Sequence, residues 1–252
     1  MIWGEQHSEG RKQTLTDLAY DAIKRGILCV ALPPGQPFTE AQLSAELGLS
    51  KTPVREALAR LQREELVEVM PRCGYRVAPL TLKDVRDLFA LRILLEGEAV
   101  RLACTRQIGE ENLRRLETLC TITYDVDNAE AFTQAIVDNT EFHVTLAEGS
   151  GNRRLVSLLL QVMEQMERVL HITIAATPTY EIDEREHIDL LRTVMSGDAE
   201  RAQALVEAQN RSWQDRMINL LLSNEAVLSA NLGGGRLARP RLLTRGTERT
   251  GS

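Results

Sequence analysis

The sequence predicts a mainly α protein in two parts: an N-terminal winged helix-turn-helix unit over residues 11–80 and an all-α helical bundle over residues 81–225. Three observations predict it. Apolar residues recur at helical spacing along most of the chain. Aromatic residues make up only 4% while Leu, Ala, Glu and Arg recur throughout, a composition that favours helices. Strand-like alternation occurs in one stretch, "VEVMPRCGYRV", which closes the first part.

In "LTDLAYDAIKRGIL" the residues Leu15, Leu18, Ala19, Ala22, Ile23 and Ile27 share one face, giving an amphipathic helix of about four turns. The prolines and glycine of "ALPPGQPF" stop it. Thr39 starts the second helix, and Gln42 stands three residues on, the spacing of a capping box. Gly48 breaks that helix, Ser50 can cap the next, and Pro53 falls in its first turn, where a missing N–H costs little. Val54, Ala57, Leu58 and Leu61 form its buried stripe, leaving Lys51, Thr52, Arg55 and Ala59 on an exposed face. Val67 and Val69, then Tyr75 and Val77, alternate around a Pro and Gly turn and predict a two-stranded wing. Helices follow at about 81–106, 110–124, 128–148, 152–175, 181–195 and 198–223, broken at Gly109, "GSGN", "TPTY" and "SGD". Residues 226–252, rich in Gly and Arg and without periodicity, are expected to be a disordered tail.

The net charge of −6 is unevenly spread. Residues 11–80 hold ten Lys/Arg against eight Asp/Glu, residues 81–230 fifteen against twenty-five, and residues 231–252 five against one. The acid lies in the C-terminal body, so the N-terminal unit is free to meet phosphate. Four scattered cysteines (Cys29, Cys73, Cys104, Cys120) form no CxxC pair, which argues against a disulfide scaffold or zinc ribbon and fits a reducing cytoplasm. The first residues contain no apolar core of leader length, and no stretch approaches 18 uncharged apolar residues, so no membrane association is expected. HExxH, GxSxG and paired catalytic acids are absent, and the chain is not expected to be an enzyme.

The stretch "LPPGQPFTEAQLSAELGLSKTPVREALARLQREELVEVMPRCGYRV" resembles the DNA-binding domain of GntR-type transcription regulators. The chemistry of the residues agrees. A helix about 10–12 Å wide fits the major groove of B-DNA. Lys51 and Arg55, four residues apart, project from one face, and Ser50 and Thr52 can hydrogen-bond phosphate near the positive helix end. The resemblance implies a double-stranded DNA operator as partner and Arg55 as a base or phosphate contact. Arg72 and Arg76 on the wing are expected at the backbone or minor groove. Ala41 stands where some members carry a contacting arginine, which bears on which operator is read.

The body, with "LRILLEGEAVRLA", "NTEFHVTLAEGSGN" and "EHIDLLRTVMSGDAERA", resembles the helical ligand-sensing domain of the FadR subgroup, called FCD. Many FCD proteins hold a metal by Asp and His four residues apart and two later histidines. The corresponding positions here are Asn139, His143, His187 and Gln209. Asn139 and His143 share a helix face, whereas Asp138 is turned about 140° from His143 and cannot substitute for the missing carboxylate. Arg92 matches a family arginine that faces the effector. The resemblance thus implies an effector pocket of Arg92, Asn139, His143, His187 and Gln209, suited to a small carboxylate. A divalent transition metal, zinc or nickel, would fall to Asn139, His143 and His187 and be weakly held, or the site works without one. His171 is expected to be structural. The expected protein is a homodimeric, effector-responsive repressor; its alternatives are a metal-free sensor of a long-chain acyl thioester and a constitutive DNA-binding protein.

Overall fold

Capping chemistry sets where the helices begin. Thr14 before α1 (Leu15–Leu28), Thr39 before α2 (Glu40–Leu47) and Thr81 before α4 (Leu82–Cys104) each close a capping box, with Asp17, Gln42 and Asp84 answering from N3. Helix α3 (Lys51–Arg63) departs from this pattern. Its N-cap Ser50 makes no side-chain cap bond, because the N3 residue is Pro53 and offers no N–H to accept. The computed structural model describes residues 13–106, 108–122, 129–174 and 184–223. The chain divides into two compact units between Pro79 and Leu80.

In the first unit α1 packs on α3, and Ile23, Ile27, Val54, Leu58 and Leu61 are buried together. Gly48 ends α2 at φ 67°, a left-handed conformation that glycine adopts without strain, and so permits the tight turn into α3. The wing has three strands rather than two: β2 (Val67–Met70) and β3 (Gly74–Val77) pair antiparallel, and β1 (Pro37–Phe38) adds to the far edge of β3. A Cβ on Gly74 would lie 2.6 Å from the Phe38 carbonyl oxygen, so only glycine lets β1 approach. Tyr20 of α1 has the Arg60 guanidinium 4.0 Å from its ring centroid, and its hydroxyl donates to Glu64 and accepts from Lys24 at 2.9 Å. Burial pushes the Tyr20 phenol up to about 12.

The second unit is all helix among the described residues: α4, α5 (Glu110–Leu119), α6 (Ala129–Glu148), α7 (Arg153–Ile174), α8 (Glu184–Met195) and α9 (Ala199–Ser223). Helix α4 is the central element, packed against α6, α7, α8 and α9. One layer of core joins Val100, Leu116, Phe142, Leu146, Leu190 and Val206; another joins Val85, Phe89, Val162, Met166 and Met217. The polar cluster below lies on the helices that carry these layers. No described helix is long and apolar enough to cross a membrane. The expected tail over 226–252 and the expected helix ends at 123–124, 128, 175 and 181–183 fall outside the described residues.

Candidate functional site

Two faces carry the candidate chemistry, one in each unit. In the first unit Ser50, Lys51, Thr52 and Arg55 are all exposed at the leading end of α3. Ser50 makes no side-chain cap bond and is exposed together with Lys51 and Thr52 at the N-terminus of α3, the positive end of the helix dipole. Arg55 is held rather than free. Its Nε and Nη2 donate to Glu40 at 2.9 and 2.8 Å, and 65% of its side chain stays exposed. The pairing lowers the Glu40 carboxyl and raises the Arg55 guanidinium. Arg72 occupies the wing turn at φ 66°, exposed. Arg76 faces Glu68 across the ladder and donates to it at 2.6 Å, so its Nε is engaged within the wing.

In the second unit four of the five expected pocket residues, Arg92, Asn139, His143 and His187, meet from three helices. Arg92 of α4 donates from Nη2 to His143 Nε2 at 2.8 Å, and His187 Nε2 of α8 lies 3.3 Å from the same nitrogen. His187 Nε2 also lies 3.2 Å from Asn139 Oδ1. The sequence reading missed Glu96, which organises the group. Its carboxylate accepts from Arg92 Nε at 2.9 Å, from His143 Nδ1 at 2.5 Å and from Asn210 Nδ2 of α9 at 3.3 Å. Phe142 stacks on the His187 ring at 4.1 Å and meets the His143 ring edge-on, fixing both imidazole planes.

These bonds assign the protons. His143 donates from Nδ1 to Glu96, so its Nε2 lone pair accepts from Arg92; His187 donates from Nε2 to Asn139. Burial pushes both histidines down, His187 well below its ordinary value, while Glu96 opposes the shift at His143. Burial alone would raise the Glu96 carboxyl, yet His143 and Arg92 hold it well below the usual carboxylate range. The cluster therefore sets the Arg92 guanidinium and the Glu96 carboxylate beside two imidazoles whose charging burial disfavours.

Gln209 donates from its side chain to the backbone carbonyl of Glu186, the residue before His187, at 3.2 Å, and the Trp213 indole N–H donates to the Glu186 carboxylate. The inward neighbour on α9 is Asn210. Its amide is oriented by two acceptors, Glu96 and the Val206 carbonyl, and leaves Oδ1 buried without a hydrogen-bond partner. His171 meets Phe132 edge-on, ring centroids 6.0 Å apart.

The donors of a metal ion can be tested on this geometry. Two imidazole nitrogens 3.3 Å apart match the spacing of about 3.3 Å that two ligands take on one tetrahedral ion. The rest of the set is weak. Arg92 donates to the lone pair that a metal would need on His143, and His187 would have to change tautomer. Among the described residues no group of three His, Cys, Asp or Glu side chains is arranged around one point. The set suits at most a weakly held ion.

A winged helix with an open recognition-helix end, followed by a helical bundle around a buried polar cluster, defines a DNA-binding transcription regulator rather than an enzyme. The pattern of the bacterial regulatory proteins of the gntR family matches residues 15–77, and that of the FCD domain matches residues 87–210. The chain belongs to the GntR family, in its FCD-containing form. It is 34% identical over 157 residues to the uncharacterised HTH-type transcriptional regulator YdhC of Bacillus subtilis, covering 61% of this chain and 70% of that one. It is 25% identical over 201 residues to the HTH-type transcriptional repressor GlaR of Escherichia coli, covering 77% and 91%. The solved structure of E. coli McbR/YncC shares the fold with a TM-score of 0.65 at 24% identity, covering 81% of this chain and 98% of that one.

Proposed function

We propose that this regulator is a homodimeric repressor that leaves its operator when a small organic acid enters the buried cluster of the second unit. The observation that carries the reading is Arg92, a guanidinium placed inside a helical bundle and bonded to both the His143 imidazole and the Glu96 carboxylate. A carboxylate can replace His143 as partner of Nη2 in a bidentate, charge-assisted contact. Asn210 Oδ1 supplies an acceptor for a hydroxyl or amino group on the same ligand. Effector binding shifts the regulator between a DNA-binding and a releasing state, by no more than the difference in effector affinity between them. Repression is supported by relatives named as repressors, GlaR among them.

A divalent ion, if one enters, is held by Asn139, His143 and His187 and would supply positive charge to the effector carboxylate. Arg92 supplies such charge without it. Dimerisation is supported by Leu91 and Leu94 on α4, 47% and 68% exposed on the one helix that otherwise sits at the centre of the bundle. Leu94→Glu should lower the mass seen by light scattering. Cytoplasmic residence follows from the operator as partner.

The test is a thermal-shift screen of small organic acids, including 2-hydroxy and 2-amino acids, with and without divalent metal, paired with operator gel shifts. A ligand at 100 times its dissociation constant adds about 2.7 kcal/mol of stability. An acid that raises the melting temperature and releases the operator supports the reading. A screen in which no acid moves either readout overturns it, in favour of an acyl thioester sensor or a constitutive regulator.

A further inference from the structure

Arg55 is placed to meet DNA, and the structure shows what holds it there. Glu40, the first residue of α2, takes Nε and Nη2 together, and its Oε1 also accepts from the Tyr75 hydroxyl of β3 at 3.2 Å. Tyr75 is itself stacked on Phe38 of the core, ring centroids 6.0 Å apart and nearly parallel at 12°. Thus α2, α3 and the wing converge on one guanidinium.

A guanidinium presents five N–H bonds in a fixed plane. The Nε/Nη2 edge is spent on Glu40. The end-on edge, with one N–H on Nη1 and one on Nη2 running parallel, has no partner among the described residues. Two parallel donors at that spacing match O6 and N7 of guanine in the major groove. A phosphate contact would use the charge of Arg55, which Glu40 already compensates at 2.8 Å. The fork, unlike the charge, remains fully available.

We propose that Glu40 and Tyr75 are positioning residues that fix the end-on edge of Arg55 on a guanine, one in each operator half-site, making the three residues a specificity-determining unit. The proposal rests on the reading of α3 as the DNA-reading helix. Ala41, next to Glu40 on α2, carries no hydrogen-bonding group on its side chain, so that position adds no polar base contact beside Arg55.

The experiment uses the full chain and a duplex enriched by the wild type from a randomised pool. Each guanine is replaced in turn by 7-deazaguanine, which lacks the N7 acceptor. Dissociation constants are measured at fixed salt for the wild type, Glu40→Gln, Tyr75→Phe and Arg55→Ala, against the enriched duplex, its deaza variants and a scrambled duplex, with thermal melting as the check on folding. The wild type should lose about 10- to 100-fold at one guanine per half-site. Glu40→Gln should lose most of that discrimination while binding the scrambled duplex equally or more tightly, since a negative charge near phosphate has gone. Tyr75→Phe should fall between the two. A merely structural role for Glu40 would weaken both duplexes together and lower the melting temperature, and that result overturns the proposal. So does Glu40→Gln with the full deaza penalty. Arg55→Ala that keeps the penalty removes Arg55 as the reader, whatever Glu40 does. A wild type that enriches an operator but shows no deaza-sensitive guanine refutes end-on readout and leaves operator binding by α3 standing.

Discussion

Glu96→Leu is the most revealing single substitution in the second unit. The carboxylate is 2% exposed and its partner guanidinium 10%. Removing it strands the Arg92 charge with His143 as its remaining partner, and it orphans the His143 Nδ1–H and one Asn210 N–H. Breaking a buried pair from one side costs about 3–5 kcal/mol. A unit of this size loses about 2–4 °C of melting temperature per kcal/mol, so the variant should melt roughly 6–20 °C lower. Arg92→Met combined with Glu96→Leu removes both charges, and apolar replacement of a buried pair is often neutral or stabilising, so the double variant should recover much of the loss. The assay is urea unfolding in a Trp3→Phe background, followed by far-UV circular dichroism and by Trp213 fluorescence; Trp213 reports the second unit through its bond to Glu186. A single variant within about 1 kcal/mol of wild type, or a double variant no more stable than the single, would refute the account of Glu96 as counter-charge to a buried guanidinium.

Three further outcomes follow from the same geometry. Arg92→Met/Glu96→Leu should bind the operator as the wild type does in gel shifts and no longer release it on addition of the acid found by screening; release that persists removes Arg92 from the pocket. Asn139→Asp should raise zinc affinity measured by titration calorimetry, because a carboxylate replaces an amide oxygen beside two imidazoles, whereas a wild type that keeps a stoichiometric ion through dialysis against chelator contradicts a weak site. Tyr20 titrates higher in the folded protein, near 12, than in the unfolded chain, where about 10 is usual, so the unfolded state releases its proton first. Its stabilising contribution is complete below pH 10 and is lost as pH rises towards 12; melting curves of Tyr20→Phe should fall less steeply over that window than those of wild type.

The helix starts were legible because capping is local: Thr39 and Gln42 are three residues apart in the chain and meet without help from anything distant. The recognition helix was legible from its buried stripe of Val54, Ala57, Leu58 and Leu61 and from Pro53 in its first turn, although the cap expected of Ser50 does not form. The third strand was not, since Pro37–Phe38 is two residues long, contains a proline, and becomes a strand only where Gly74 admits it beside β3. Glu96 escaped for a different reason. An Arg and a Glu four residues apart on a helix ordinarily form a solvated surface pair, and only the packing of α6 and α9 against α4 turns this one inward. A signal was present in "LFALRILLEGEAVRLA", where apolar residues occupy every side of the helix and leave no polar face for Arg92 and Glu96 to share. The family correspondence led to Gln209, which bonds the carbonyl before His187, and gave no pointer to its neighbour Asn210, which a step of about 100° around α9 turns to Glu96.

Pro53 gives the first unit an unfinished helix. Three described helices complete their first turn with a threonine of their own, and α3 does not. An N-cap bond is worth about 1 kcal/mol, which α3 forgoes while the protein is alone. On the operator a phosphate oxygen can stand where a cap would, so that DNA acts as the last structural element of the fold as well as its target. The first turn should then be the part of α3 whose amide protons exchange fastest in the free protein and slow most on the operator. If exchange of these amides does not slow on the operator, Ser50 and the first turn of α3 do not receive a phosphate.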